Sequence, residues 1–80
     1  MSFRPHNIPR IVDSAYRHGL TTEDILHACR NPIDVFVHDD GIIMLIGSTF
    51  SGAMIEVGIR MIHGFPVVVH AMHARKKYIR

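Results

Sequence analysis

The chain has 80 residues, of which 48% are hydrophobic, and its formal net charge at pH 7 is only +2. Hydrophobicity this high with so little net charge excludes an intrinsically disordered chain, and the length fits a single domain over residues 1–80. The longest apolar runs are about five residues, whereas a bilayer span needs roughly 20. The N-terminus lacks the apolar stretch of a signal peptide, and the single Cys29 has no disulfide partner. We therefore expect a cytoplasmic protein with no membrane association.

The first half of the chain predicts two helices. Pro9 suits the first turn of a helix, where its missing N–H costs nothing. The apolar residues after it recur at helical spacing, and Gly19 fits the left-handed position that follows a last helical turn. The second helix has Thr21 or Thr22 as its N-cap and acidic residues in its first turn. Asn31-Pro32 ends it.

The second half predicts four strands, over residues 33–38, 42–46, 53–61 and 65–72. Asp40-Gly41 is a strong signal for a two-residue hairpin loop, and Ser51-Gly52 and His63-Gly64 mark the next two turns. Strands joined by turns this short pair with their neighbours as an antiparallel meander. The predicted fold is therefore α+β, with two N-terminal helices packed on a four-stranded antiparallel meander sheet and a basic C-terminal tail.

Two-residue loops at the first two turns predict the strand register. They pair Val37 with Met44 and Ile46 with Val57. The face that the helices should cover then carries Val35, Val37, Met44, Ile46, Ile55, Val57 and Ile59. The opposite face carries Phe36, His38, Ile43, Leu45, Gly47, Glu56, Gly58 and Arg60. Because this opposite face mixes apolar with charged groups, it is only partly suited to water, and a second copy of the chain or another partner can bind there.

The third turn leaves the position of His70 open. A two-residue loop at His63-Gly64 puts His70 on the helix-covered face. A slip of one residue puts it beside Glu56 and Arg60 instead, because successive side chains of a strand point to opposite faces.

The last strand leads into the most basic part of the chain. Residues 21–40 carry five acidic residues and one arginine, a net charge of −4, whereas residues 61–80 carry four basic residues and no acid, a net charge of +4. A positive cluster attracts polyanions, although a basic tail can equally be solvated charge. Residues 70–78 combine two imidazoles, three cations and a phenol: His70, His73, Arg75, Lys76, Lys77 and Tyr78.

Such a set of side chains suits a phosphodiester. Arg and Lys bind phosphate and stabilise the charge that develops on it, and His transfers protons near neutral pH. Tyr can stack on a base or donate a proton. Cleavage that uses the RNA 2′-OH as nucleophile needs no metal, and the histidines and the cysteine lack zinc-ligand spacing, so we expect no metal and no cofactor. The candidate catalytic residues are His70, His73, Arg75 and Tyr78. The candidate RNA-binding residues are Arg60, Lys76, Lys77 and Arg80, with Glu56 and His18 as a second tier.

Several of these residues also have a structural interpretation. Glu56 and Arg60 lie four apart on one strand and suit a cross-strand pair. His18 suits the end of a helix, where the dipole favours a cation. Tyr78 can pack the tail onto the domain, and His70 can be a hydrogen-bonded histidine of the sheet.

The order of these features resembles the BrnT-like toxins of bacterial type II toxin–antitoxin systems, within the RelE-like superfamily. The motifs that carry the resemblance are Ala15-Tyr16-Arg17-His18-Gly19-Leu20, Thr22-Glu23-Asp24-Ile25 with Ala28, Asn31-Pro32, and the closing segment 69–78. The resemblance covers about residues 9–80 of the chain. It implies an antiparallel sheet backed by two helices, ribonuclease activity on messenger RNA, and neutralisation by a cognate antitoxin, often a ribbon-helix-helix DNA-binding protein. Arg75, Lys76, Lys77 and Tyr78 match the basic, tyrosine-containing segment that closes these sequences.

Three functional hypotheses therefore follow from the sequence. The first is a metal-independent endoribonuclease toxin that cleaves messenger RNA and is neutralised by an antitoxin. The second is a non-catalytic module that binds nucleic acid or a protein through the tail and the opposite face of the sheet. The third is a histidine-rich metal-binding module.

Overall fold

The computed structural model describes residues 8–79, which form one mixed five-stranded sheet and one α-helix. The strands are β1 (Arg10–Ile11), β2 (Asp34–Val37), β3 (Ile43–Ser48), β4 (Met54–Ile62) and β5 (Phe65–His73), and the helix is α1 (Thr22–Arg30). Two short 3₁₀ turns are formed by Asp13–Tyr16 and Lys76–Tyr78. The strand order across the sheet is β1-β5-β4-β3-β2.

The predicted fold class is wrong in its number of helices and in its sheet. The first predicted helix is only the 3₁₀ turn Asp13–Tyr16, and the residues before it form β1, which runs parallel to β5. A helix of so few residues is marginal by itself, whereas the β-branched Ile11 and Val12 can pair with the edge of β5. The Val12 amide also donates to the Val68 carbonyl at 3.0 Å, so tertiary pairing overrides the helical spacing.

Helix α1 is formed where the second predicted helix lies. Its N-cap is Thr21, whose hydroxyl accepts a hydrogen bond from the Asp24 amide at 3.1 Å. Its apolar stripe buries Ile25, Ala28 and Cys29 completely against the sheet. Burial raises the pKa of the Cys29 thiol to about 12. None of the helices within residues 8–79 is long and apolar enough to cross a membrane.

Both predicted hairpin registers are wrong by one residue. The first loop contains three residues, 39–41, because the His38 amide donates to the Ile42 carbonyl at 2.9 Å and the Gly41 amide to the His38 carbonyl at 3.1 Å. Gly41 has a φ of 87°, which is typical of a type I turn followed by a left-handed bulge residue. The second loop, residues 50–52, repeats this arrangement with Gly52 at a φ of 97°.

Because of the extra loop residues, the side chains of β3 point to the opposite faces of the sheet from those predicted. Leu45, not Ile46, pairs with Val57, and it lies completely buried on the face that α1 covers. Met44 and Ile46 point to the opposite face, where they pack with Tyr78. The prediction for the helix-covered face was therefore wrong for β3. It is confirmed for β4, where Ile55, Val57 and Ile59 are buried in the same cluster as the residues of α1.

The third turn combines both alternatives that the sequence left open. His63 and Gly64 form a two-residue loop, with φ values of 51° and 80°, and Ile62 pairs with Phe65. A bulge opposite Gly58 and Ile59 then shifts the register by one residue, so that His70 pairs with Gly58. A tight turn and a shifted register thus both occur, and His70 lies on the face opposite α1.

Candidate functional site

Glu56 lies at the centre of the face opposite α1. It is completely buried, and its carboxylate accepts hydrogen bonds from two directions. His70 Nε2 donates to Oε2 at 2.9 Å. Arg75 Nη2 donates to Oε2 at 2.7 Å, and the backbone amide and Nε of Arg75 donate to Oε1 at 2.9 and 3.1 Å. Glu56 therefore joins β4, β5 and the C-terminal tail at one point.

The electrostatics of this cluster keep Glu56 ionised. Burial raises the pKa of Glu56, but the hydrogen bonds from Arg75 and His70 and the positive charge of Arg75 outweigh it, so that the pKa falls below its usual 4.5. The hydrogen bond to Glu56 in turn raises the pKa of Arg75. Because an ionised carboxylate can only accept hydrogen bonds, Nε2 of His70 carries a proton. Nδ1 is then the nitrogen of His70 that can take up another.

Two local features of the sheet bring His70 to Glu56. The β5 bulge turns His70 to the face that Glu56 occupies. Gly58 provides room beneath it, since a Cβ at position 58 would lie only 3.1 Å from the His70 Cβ. After β5 ends, the Ala74 amide donates to the Met54 carbonyl at 3.0 Å, and the chain folds back over the sheet. This return places Arg75 over Glu56.

Tyr78 anchors the end of the tail. Its side chain is 5% exposed, and its hydroxyl forms a hydrogen bond with Nε2 of His38 at 3.0 Å. The Phe36 ring lies tilted against it, with 5.2 Å between the ring centres. The Arg75 guanidinium carbon and the Lys77 Nζ lie 5.6 and 5.1 Å from the centre of the Tyr78 ring, within the range of cation–π attraction. The phenol therefore links the tail to the strand end that carries His38.

A cleft of about 250 Å³ opens beside this network. Its lining combines two imidazoles, one guanidinium, one carboxylate and two apolar side chains: His38, Asp40, Ile42, Met44, His70 and Arg75. Arg60 lies at the rim, where its Nη1 donates to the Asp40 carbonyl at 3.2 Å. His18 approaches from the turn after the first 3₁₀ segment, with its ring centre 6.2 Å from that of His70. The cleft thus has proton-transfer groups and a cation on its walls and an apolar part on its floor.

The structure brings together most, though not all, of the residues predicted from the sequence. His70, Arg75 and Tyr78 lie in the network around Glu56, and the second-tier residue His18 and the RNA-binding candidate Arg60 lie close to it. Lys76 and Lys77 are exposed on the adjoining 3₁₀ turn. Glu56, ranked in the second tier from the sequence, is at the centre.

Of the remaining predicted residues, His73 lies outside this arrangement. His73 is exposed and pairs with Ile55, a residue of the core beneath α1, so its side chain leaves the sheet on the face away from Glu56. Arg80, the last of the RNA-binding candidates, lies outside the described residues.

Sequence reasoning assigned no role to His38 or Asp40. The signal for His38 was its predicted place on the same face as Glu56, at the end of a strand. Asp40 was interpreted only as a turn residue, and one of its carboxylate oxygens does accept from the Ile42 amide at 3.0 Å. Their approach to Arg75 depends on how the tail folds back, which no local pattern indicates.

This arrangement can bind a phosphate-containing ligand and transfer protons to and from it. A guanidinium is a strong phosphate ligand, and an imidazole with a carboxylate on one nitrogen is oriented to act through the other. Within residues 8–79, no group of three or more His, Cys, Asp or Glu side chains is placed to hold a metal ion. Comparisons of the chain with models of protein families, with curated proteins and with solved structures find no match.

Proposed function

We propose that the protein is a metal-independent endoribonuclease that cleaves messenger RNA in the cleft beside Glu56, acting as the toxin of a toxin–antitoxin pair. The observation that carries the ribonuclease proposal is the cluster in which Glu56 holds both His70 and Arg75 at the wall of one cleft. The resemblance of the sequence to BrnT-like toxins supports the biological role and the neutralisation by a cognate antitoxin.

In this proposal His70 is the general base. Its Nδ1 removes the proton of the RNA 2′-OH, and the 2′-oxygen then attacks the neighbouring phosphorus. The ionised Glu56 on Nε2 stabilises the imidazolium that forms, as a carboxylate does for the histidine of a catalytic triad. Glu56 is therefore a positioning residue that acts through His70.

Arg75 supplies the positive charge at phosphorus. Its side chain is 45% exposed, so the guanidinium is accessible from the cleft while Glu56 fixes its position. A preorganised cation stabilises the charge that builds on the phosphoryl oxygens in the transition state. The exposed Lys76 and Lys77 and the rim residue Arg60 would bind flanking phosphates, and the apolar floor of Ile42 and Met44 would support a base.

The test combines growth arrest in a bacterial host with cleavage of an end-labelled messenger RNA by purified protein in the presence of EDTA. We expect the wild type to arrest growth and to leave 2′,3′-cyclic phosphate ends. His70→Gln is expected to lower the cleavage rate by about 10²-fold or more, the usual effect of losing a general base. Arg75→Lys keeps the charge but loses the two-point contact with Glu56, and it is expected to lower the rate as well.

His63→Asn is the matched control. His63 is an exposed histidine of the β4–β5 turn, and Asn tolerates its positive φ. Circular dichroism would confirm that each variant is folded. The proposal fails if purified wild type leaves RNA intact, or if His70→Gln cleaves it as fast as His63→Asn does.

A non-catalytic RNA-binding module is the second candidate, and the structural contacts of the tail favour it. Arg75 is paired with the buried Glu56, and the ring of Tyr78 is buried, which suits residues that fold the tail into a binding surface. Retention of intact RNA by the wild type, lost as salt concentration rises, would support this candidate over the ribonuclease.

A further inference from the structure

We infer that His38 is a second catalytic group, the general acid that protonates the leaving 5′-oxygen, and that Tyr78 is its positioning residue. This inference rests on the proposed ribonuclease activity and adds a second proton-transfer group to it. It also gives Tyr78, a candidate catalytic residue from the sequence, the role of positioning a histidine.

The position of His38 carries the inference. His38 lines the same cleft as His70 and Arg75, and it reaches the cleft from β2, on the side of the sheet away from β5. Glu56 holds His70 at Nε2, and Tyr78 holds His38 at Nε2. Each imidazole therefore has one nitrogen engaged by the protein and Nδ1 left as the nitrogen for substrate.

Tyr78 is suited to positioning and not to contact with RNA. With 5% of its surface exposed, its ring packs against Phe36 and lies within cation–π range of Arg75 and Lys77. Its ring meets that of His38 edge-on, with 5.9 Å between the centres. A buried phenol held in this way fixes the orientation of the imidazole bonded to it.

The reaction balances with these two histidines. The O2′–H proton moves to His70 Nδ1 as the bond from O2′ to phosphorus forms. The bond from phosphorus to O5′ breaks, its electron pair goes to O5′, and that oxygen takes the Nδ1 proton of the His38 imidazolium, which becomes a neutral imidazole with its remaining proton on Nε2. The products are a 2′,3′-cyclic phosphate and a 5′-OH, and no oxidant, reductant or further reactant is consumed. Arg75 stays charged throughout.

The other groups of the cleft do not fit the role of an acid. Asp40 holds the β2–β3 turn, where one of its carboxylate oxygens accepts from the Ile42 amide. Arg75 holds its proton too strongly, because Glu56 raises a pKa that is already high. Among the side chains that line the cleft within the described chain, His38 and His70 are the two imidazoles, the side-chain type that transfers protons in general acid–base catalysis.

The leaving group provides the test. Cleavage of an ordinary RNA oligonucleotide releases a 5′-alkoxide, a poor leaving group that needs a proton. Cleavage of uridine 3′-(4-nitrophenyl phosphate) releases nitrophenolate, which leaves without one. His38→Gln is expected to lower kcat for the oligonucleotide by about 10²-fold or more and to leave kcat for the nitrophenyl ester close to that of the wild type. His70→Gln is expected to lower both, because both substrates need the base.

Tyr78→Phe keeps the ring packing and removes only the hydroxyl. It is expected to lower kcat for the oligonucleotide less than His38→Gln does, again with the nitrophenyl ester spared. His63→Asn, the same control as above, is expected to match the wild type on both substrates.

The outcomes separate this inference from the proposed function. His38 is not the acid if His38→Gln cleaves the oligonucleotide as fast as the wild type. The same conclusion follows if the folded variant shows an equal loss of kcat for both substrates. In either case the ribonuclease assignment stands. If Tyr78→Phe keeps the wild-type kcat for both substrates, Tyr78 does not position His38. Wild-type protein that cleaves neither substrate would overturn the ribonuclease and the inference together.

Discussion

Glu56 is completely buried in the centre of β4, yet it is charged, because Arg75 and His70 both donate to it. Removing a carboxylate from water is costly, and only good geometry and full hydrogen bonding repay it. Both oxygens of Glu56 are satisfied, and the side chain of Arg75 remains partly solvated. Glu56 therefore holds the side chains of His70 and Arg75 together at one point of the sheet.

The lowered pKa of Glu56 predicts how stability depends on pH. A carboxyl group whose folded pKa lies below its usual 4.5 contributes stability above that pH, and the contribution is lost as pH falls through the folded value. We expect Glu56→Gln to lower the free energy of unfolding at pH 7 by about 1–3 kcal/mol, the usual scale for hydrogen bonds to a charged group. The variant should also lose less stability than the wild type between pH 5 and pH 3.

Urea unfolding monitored by circular dichroism at each pH would measure both effects. Glu23→Gln is the matched control, since Glu23 is an exposed residue in the first turn of α1. Curves of stability against pH that run parallel in wild type and Glu56→Gln would contradict the assignment of an ionised, stabilising carboxylate.

At the scale of elements, α1 and β3 approach each other closely where Gly47 faces Ala28. A Cβ at position 47 would lie 2.8 Å from the Ala28 carbonyl oxygen and 2.9 Å from the Ala28 Cα and Cβ. Only glycine fits there without moving the helix. This requirement also explains the register of β3, because any register that turned Ile46 toward α1 would bring a large side chain to this contact.

Gly47→Ala is therefore expected to lower the free energy of unfolding by about 1–3 kcal/mol, the usual cost of overpacking a core. Thermal unfolding would measure it. The double variant Gly47→Ala/Ala28→Gly removes the Cβ of residue 28 but keeps its carbonyl oxygen and Cα, so we expect it to remain destabilised. Full recovery in the double variant would show that the contact involves the side chain alone and that the helix lies farther from the strand.

The loops and the bulge determine the faces of the strands. Each three-residue loop adds one residue to the two that the Asp40-Gly41 and Ser51-Gly52 signals predict, and the bulge in β5 adds one more. A shift of one residue moves every side chain of a strand to the other face. Met44 and His70 lie on the face with Glu56 for this reason.

At the scale of the whole molecule, the tail brings positive charge to the cleft through Arg75. Arg75 lines the cleft, and Lys76 and Lys77 follow it on the 3₁₀ turn. Since cations that neutralise phosphates release counterions, binding of single-stranded RNA should weaken linearly with the logarithm of salt concentration, with a slope of about −0.7 per phosphate contacted.

Lys76→Gln/Lys77→Gln is expected to weaken RNA binding and to reduce the magnitude of that slope by about 1.4, because two phosphate contacts are lost. Fluorescence anisotropy of a labelled oligonucleotide over a range of KCl concentrations would measure it. Arg10→Gln/Arg30→Gln changes net charge equally, at exposed positions on β1 and α1, and should leave the slope unchanged. Equal slopes for the two double variants would mean that the tail has no special part in binding.

The sequence by itself determined the elements whose causes are local. Thr21 as N-cap and the apolar stripe after it specify α1, the glycines after each strand specify where turns fall, and the alternation of β4 directs its apolar residues to the helix. The sequence also drew attention to His70, Arg75 and Tyr78, because their chemical types cluster at the end of the last strand.

Only the tertiary structure decided which side chains meet. Arg10 and Ile11 pair with β5 instead of starting a helix, and the tail returns over the sheet to bring Arg75 to Glu56 and Tyr78 to His38. Loops of two and three residues are both compatible with the same turn residues, yet they direct a strand to opposite faces. Packing determines which loop length is formed, through contacts such as that of Gly47 with Ala28, which join residues far apart in the sequence. The loop length in turn determines which side chains meet beside Glu56.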